Sequence, residues 1–485
     1  MKHPYHTAAT LLLFFTVAIT NYAVAQSTVQ QRIKQVENGL TENLQTNDSG
    51  PMNLQKRMEH YKVNGLSIAV IKDYKIDWVK AYGFSDTASK TPVTDKTLFQ
   101  AASISKSLNA VGVMKLFKSR NLNLFADINT YLTSWKFPYD SLSKGKKINT
   151  ANLLSHTAGL SVHGFGGYEP GTSIPSVIQI LNGEKPANSA AVRSVFEPGI
   201  RQQYSGGGII ITQLMITDIS KERYEKYMSD QVLKPMGMLN STFAQPPAGL
   251  KPGALATGYD IAGQEVKGKY HIYPEQAPAG LWTNPTELAK YIIETQLAYE
   301  GKSAKVLDQE TTRLRLTPYM SADAALGVFI ENYDGLKYFG HGGANEGFRS
   351  SYYGSMEGGN GLVIMLNSDN GEIIQELINS IAAVYNFKGL NKTKKIKLAD
   401  VAEKDLDSYL GDYQLTPTLV LTVTRDGKQV YVQATGQAKL EAFPETSSKF
   451  FFKVIHATME FVKDGDGKVT KMIFTQGATI QAKKL

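Results

Sequence analysis

Near the start of the chain, Val29, Ile33, Val36, Leu40 and Leu44 recur at intervals of three and four within "STVQQRIKQVENGLTENL". That is the period of a helix. The polar, turn-prone "QTNDSGP" interrupts it. A second short helix is expected over Met52 to Tyr61. "GLSIAVIKDYKIDWVKAYGFSD" then reads as two strands joined around Lys72 to Lys75. From Leu98 to about Leu316, helical periods alternate with long Gly/Pro loops. "KYFGHGGANEGFRSSYYGSMEGGNGLVIMLNSDNG" returns to strands separated by Gly-rich turns. In the helix expected next, "EIIQELINSIAAVYN", Ile374, Ile378, Ile381 and Tyr385 mark one face. Strands at both ends therefore bracket a helical middle, and helices at both ends can cover one face of a joined antiparallel sheet.

The pattern changes after "KGLNKTKKIK" (Lys388 to Lys397), which is polar, basic and poor in bulky residues, as a linker would be. Beyond it, "LVLTVTRDGKQVYVQATG" and "FFFKVIHATMEFVKDGDGKVTKMIFTQG" alternate apolar and polar positions around Asp426-Gly427 and Asp466-Gly467. Asp-Gly between alternating runs signals hairpins, so the tail is expected to be a small all-β module. No internal repeat is visible.

Composition narrows the function classes. A chain of 485 residues with 42% hydrophobic and 20% charged residues suits one catalytic-sized domain and a smaller one. The formal charge of +8 is dispersed, without the basic stripe interleaved with aromatics that nucleic-acid binding needs. Lys2 and two histidines precede the apolar run Ala8 to Ile19, and Ala23 and Ala25 stand before Gln26. This reads as a signal peptide cleaved after residue 25, the run being short for a membrane span. An exported protein, periplasmic or secreted, with no stable span after cleavage is expected. The chain has no cysteine, which rules out disulfides, thiol catalysis and thiolate metal sites.

The candidate chemistry starts at Ser103-Ile104-Ser105-Lys106. A serine hydroxyl needs a nearby base, and residues three apart on a helix share a face. The same spacing occurs at Ser141/Lys144 and Ser143/Lys146, in the polar loop "YDSLSKGKKIN". Only Ser103 opens a segment, "LNAVGVMKLF", whose Leu108, Val111 and Met114 can pack inward with Ile104. Burial there would lower the lysine's affinity for its proton, and a helix start presents N–H groups to an oxyanion.

Five strings follow one another in order: Ser103-x-x-Lys106, "LLSHTAGL" (Leu153 to Leu160), "FEPGIRQQYSGGG" (Phe196 to Gly208), "GLWTNPTELAKY" (Gly280 to Tyr291) and "GHGGANEGF" (Gly340 to Phe348). Together they resemble the serine β-lactamase-related family, which includes class C β-lactamases, D,D-peptidases, D-amino-acid peptidases and family VIII esterases. The resemblance covers about Met52 to Phe387. It implies an α+β fold, an antiparallel sheet flanked by helices with a helical insertion. The all-β tail similarly resembles the small barrel some relatives carry. The expected layout is a signal peptide (1–25), an N-terminal helix and connector (26–51), the hydrolase domain (52–387), a linker (388–397) and a barrel-like domain (398–485).

The resemblance also implies roles. Ser103 matches the acylated serine, Lys106 its lysine and Tyr204 the tyrosine that shares proton transfer. The N–H groups of Ser103 and Ala344 match the oxyanion donors. His341-Gly342-Gly343 stands where many members have Lys-Thr-Gly, and Tyr204-Ser205-Gly206 where they have Tyr-x-Asn. The expected substrate contacts are His341, Gly342, Gly343 and Gly206, with Ser205 or a main-chain group as a substitute for the missing amide. Loss of a fixed cation, a hydroxyl and that amide lowers the odds of efficient β-lactam hydrolysis, since a histidine is only partly charged near neutral pH. It favours an esterase or peptidase acting on a small-molecule or peptide substrate, such as one derived from cell wall. A class C-like β-lactamase and a non-turnover penicillin- or peptidoglycan-binding protein are the alternatives. No cofactor or metal is expected. His156 and His163 read as structural, "DGDGK" at Asp464 as a hairpin turn, and Ser368-Asp369-Asn370 as a polar turn ending a strand.

Overall fold

The computed structural model describes residues 28–47, 49–247, 253–455 and 457–485. The expected signal peptide lies outside them. The described residues divide into two compact units, one within 28–40 and 52–391, the other within 41–51 and 392–485.

The larger unit is organised by a seven-stranded antiparallel sheet. Its order is Thr91–Pro92, Lys75–Asp86, Gly65–Lys72, Gly361–Leu366, Phe348–Ser355, Leu336–Asn345 and Phe329–Tyr333. The two ends of the unit meet at its centre, where Leu66 pairs with Leu366 and Ile71 with Gly361. Alternation explains why both central strands are almost wholly apolar. Leu66, Ile68 and Val70, with Leu362, Ile364 and Leu366, face one core; Ala69 and Ile71, with Val363 and Met365, face another.

The first of these cores lies under the helix over 28–37 and the Leu54–Tyr61 and Glu372–Tyr385 helices. The expected first helix is shorter than its period suggested. It stops at 37, Leu40 pairs with Met52, and Leu44 belongs to a strand. In Glu372–Tyr385 the buried face includes Ile378 and Ile381, as the sequence marked, together with Ile373 and Leu377, while Ile374 and Tyr385 are only half-buried, so the face is turned part of the way from the one expected.

The second core surrounds the Ser105–Ser119 helix, of which nearly every residue through Phe117 is buried. A helix without a polar face belongs in the middle of a domain. The Gly206–Ser220 helix, buried at every position from Gly206 through Ile216, packs with it.

The smaller unit is a closed eight-stranded barrel from Gly411–Thr416 to Ala478–Lys484, sealed by the pairing of Tyr413 with Lys484. The turn at 464–468 is a hairpin turn in which Asp464 Oδ1 accepts from the N–H groups of Asp466 and Lys468. Within the stretch expected as a linker, Lys394–Ile396 is a strand, paired in parallel with Leu44–Thr46, so the connector and linker segments form a small sheet of their own.

Candidate active site

Ser103 sits in a 3-10 turn, Ala102–Ile104, that runs directly into the buried Ser105–Ser119 helix. The turn is held tightly. Ser105 Oγ donates to the Ala102 carbonyl (2.6 Å) and accepts from the Leu281 N–H (3.0 Å), and Ser350 Oγ donates to the Ala101 carbonyl (3.0 Å). Ala102 adopts a left-handed backbone, φ 51°, a strained state for a residue with a Cβ that the surrounding bonds must maintain. The Ser103 N–H lies in the first turn, where no helical carbonyl precedes it.

Lys106 is 2% exposed. Its Nζ donates to Ser103 Oγ (2.9 Å) and to the Pro278 carbonyl (2.8 Å), and stands 5.0 Å from the centre of the Tyr204 ring. The predicted trio therefore converges. The competing lysines do not: Lys144 and Lys146 are exposed and pair with Glu197.

Tyr204 is placed by two histidines. Its carbonyl is bonded to His163 Nδ1 at 2.6 Å, so that nitrogen carries the proton. His156 Nδ1 accepts from the Ser205 N–H at 3.2 Å, and the His156 ring lies 4.3 Å from that of Tyr204. Accepting at Nδ1 sets His156 as the Nε2–H tautomer. Burial, then the charge of Lys106, pushes its pKa well below the usual histidine range. Among the described residues no group of His, Asp or Glu could hold a metal ion.

His341, Gly342, Gly343 and Ala344 lie on the Leu336–Asn345 strand. Its neighbour Phe329–Tyr333 pairs with it only as far as Gly340, leaving 341–345 unpaired on that side. On the other side a two-residue turn, Glu346-Gly347, closes at Asn345 and Phe348. Hydrogen-bonded and non-bonded pairs alternate in such a ladder, so Gly342 and Ala344 direct their main-chain groups to the open edge. Gly343 lets this edge press on the Ser103 turn: a Cβ there would stand 2.4 Å from the Ala101 carbonyl oxygen. The Ala344 N–H is thus turned to the unpaired edge beside the Ser103 turn.

His341 differs from expectation in its charge. It is 7% exposed, and burial followed by the charge of Lys106 lowers its pKa to about 3. Far from being partly charged near neutral pH, it is neutral. Its Nδ1–H donates to the Gly342 carbonyl (2.5 Å), leaving Nε2 as a buried acceptor with no partner. Phe329 lies 5.3 Å away and completes a cluster with Tyr204 and His156.

Ser205 cannot replace the missing amide. Its Oγ caps the Gly206–Ser220 helix, accepting from the Gly208 N–H (2.9 Å) and donating to the Ser161 carbonyl (2.7 Å). Gly206 donates its N–H to the His163 carbonyl, and a Cβ there would lie 2.9 Å from the Phe165 ring. Phe165 occupies the space beside this position. In Ser368-Asp369-Asn370, Ser368 Oγ accepts from the Asn370 N–H, and Asp369 binds Arg349 and the Gly347 N–H, both at 2.8 Å. That is a structural role, and it steadies the turn beyond Ala344.

Sequence reasoning missed Pro278, Phe329 and Phe165, and gave His156 no specific task. His156 belonged to a quoted string, but its partner at Ser205 is 49 positions away.

A family model described as Beta-lactamase matches residues 52–384, and one described as a domain of unknown function, DUF3471, matches 397–485. Protein flp of Staphylococcus aureus (strain N315) is 24% identical over 392 residues, 78% of this chain and 73% of its own. Penicillin-binding protein 4* of Bacillus subtilis (strain 168) is 20% identical over 447 residues, 87% of this chain and 95% of its own. Among solved structures, the octameric penicillin-binding protein homologue from Pyrococcus abyssi superimposes with a TM-score of 0.61 at 23% identity, covering 89% of this chain and 98% of that one. A penicillin-binding protein from Bacillus halodurans gives 0.55 at 19%, covering 68% and 98%. These likenesses show the fold.

Proposed function

Because the chain belongs to the beta-lactamase family, by its match over residues 52–384, we propose that it is an exported serine hydrolase working through an acyl-enzyme on an ester or amide rather than as an efficient β-lactamase. From the form of the site in which Lys106 is a neutral amine, Ser103 Oγ attacks the substrate carbonyl as its proton passes to Lys106 Nζ, 2.9 Å away. The Ser103 and Ala344 N–H groups receive the developing oxyanion. Lys106 and Tyr204 return the proton to the leaving group. Water, activated by the same pair, then releases the acyl group.

The observation that carries the substrate preference is His341. Where a cation and a hydroxyl would meet a substrate carboxylate, this chain has a neutral ring whose unpartnered Nε2 accepts. An acceptor repels a carboxylate and suits an N–H or O–H of the substrate. A small ester or a peptide, including one derived from cell wall, fits; the carboxylate of a penicillin or cephalosporin does not. The apolar leader at Ala8 to Ile19 supports export. Among the described residues no helix is long and apolar enough to cross a membrane.

The test is steady-state hydrolysis of a short-chain p-nitrophenyl ester against a chromogenic cephalosporin, with a Ser103→Ala control and intact-mass detection of the acyl-enzyme. Ester turnover abolished in the control, with little cephalosporin turnover, is expected. Efficient cephalosporin turnover would establish a β-lactamase instead. Acylation without release would establish a binding protein.

A further inference from the structure

The barrel holds a cavity that its own core does not fill. The connections at 417–418, 435–438 and 477, and the described part at 452–455 of a fourth, all lie at one end. Among the strand ends there is a cup of about 250 Å³. Leu421, Val432 and Phe452 form its floor, each at most 4% exposed; Leu415, Leu440 and Ile480 form the rim, with Ile480 37% exposed. The opposite end is plugged. There the Glu403–Tyr409 helix inserts Tyr409, whose ring stacks on Phe461 at 4.3 Å and whose hydroxyl donates to the Ser447 carbonyl (2.9 Å). The result is a blind cup rather than a channel.

Its lining is chemically one-sided. Among the described residues no lining side chain is ionisable, and the only side-chain amides are those of Gln437 and Gln476. Such walls offer water few partners and a charged ligand no counter-ion. An eight-stranded barrel is just wide enough to hold one small ligand. Apolar cavities of about 150 Å³ stay dry and take up benzene, or about 25 Å³ per carbon; at that density this cup takes about ten carbons.

We propose that the open mouth of the barrel is a binding site for a small uncharged apolar group, an alkyl chain or fused aryl ring of about ten carbons. Contact with the Leu, Val and Phe floor supplies the affinity, and the two glutamines meet a polar end at the rim.

The experiment uses the full chain and 1-naphthylamine, an uncharged fluorophore of that size whose emission rises in apolar surroundings, with decan-1-ol and decanoate as competitors. Ala434→Phe fills the cup from its wall. Ala438→Glu sets a charge on the exposed rim, where folding is not at stake. Circular dichroism checks both. Saturable binding at one site per chain is expected, displaced by decan-1-ol, weakened at least tenfold in both variants and retained in Ser103→Ala. Retention there separates this site from the hydrolase's. Absence of saturable binding, equal binding in wild type and both variants, or tighter binding of decanoate than of decan-1-ol would overturn the proposal.

Discussion

The interiors of the two units are built from different materials. The hydrolase unit buries Ser105, Lys106, Ser107, Asn109, Glu275 and His341. From residue 398 onward, the buried side chains among the described residues are apolar or aromatic, and the tyrosine hydroxyls of Tyr409 and Tyr413 are bonded to carbonyls. A buried polar group without a partner costs about 1–3 kcal/mol. A protein keeps such groups where they are bonded or where they have work to do. The contrast fits the proton transfer proposed for one unit and the apolar recognition proposed for the other.

The strongest way to break this contrast is to truncate an interior residue in each unit. Lys106→Ala should lower kcat for an ester by about 10²–10⁴-fold, the range for a lost general base. Leu421→Ala in the barrel should cost about 2–5 kcal/mol of stability and leave kcat within about twofold, because it belongs to the compact unit that does not carry Ser103, Lys106 and Tyr204. Steady-state kinetics and thermal unfolding check both. A large kcat loss in Leu421→Ala would remove the division of labour.

His156 gives a finer test. His156→Leu removes the acceptor for the Ser205 N–H and frees Tyr204. Misplacing a reacting group by about 1 Å can cost about 10²-fold, so kcat should fall by roughly that factor with KM little changed. His156→Asn restores an acceptor and should recover part of the loss. A purely structural role would lower stability in both variants without this difference in kcat.

His341 sharpens the substrate reading. His341→Lys puts a charge where the neutral ring stands and should raise kcat/KM for a cephalosporin relative to an ester by about tenfold, the effect of about 1.4 kcal/mol. With a folded pKa of about 3, His341 contributes no ionisation between pH 5 and 8. The acid limb of the pH profile should therefore survive in His341→Asn.

The smallest effect concerns Glu275. It is fully buried, neither carboxylate oxygen has a partner, and it precedes the Gln276–Ala279 helix whose Pro278 carbonyl holds Lys106. Burial raises its pKa from 4.5 to about 8. Between those values the folded state binds the extra proton, so this group's contribution is full below pH 4.5 and is lost as pH rises through 8. Glu275→Gln keeps the neutral form at every pH. Its Tm should match wild type near pH 5 and exceed it by a few degrees above pH 8. Parallel Tm curves would show that Glu275 is not protonated in the folded protein.

Much of this was legible in the sequence. Alternation and Asp-Gly turns marked the barrel strands, and two apolar runs marked the centre of the main sheet. The Phe329–Tyr333 strand was not legible: "FIENY" is short, and only its pairing as far as Gly340 identifies it. Ser103 was separated from the other Ser-x-x-Lys pairs by the apolar residues after it. The cap that Ser205 makes on the Gly208 N–H is local, but its second bond, to the Ser161 carbonyl 44 positions away, was hidden.

The sequence by itself determined the placement of Ser103 and Lys106 one turn apart, the alternation that buries Gly65–Lys72 on both faces, and the all-β character of the tail. These follow from local spacing, which sets the face on which a side chain emerges. Only the tertiary structure decided that His341 is neutral, that the Ser205 hydroxyl is tied to the Ser161 carbonyl, that Ala344 faces an open edge, and that the barrel is plugged at one end and hollow at the other. Each depends on which distant residues exclude water or supply a bond, and no local spacing records that.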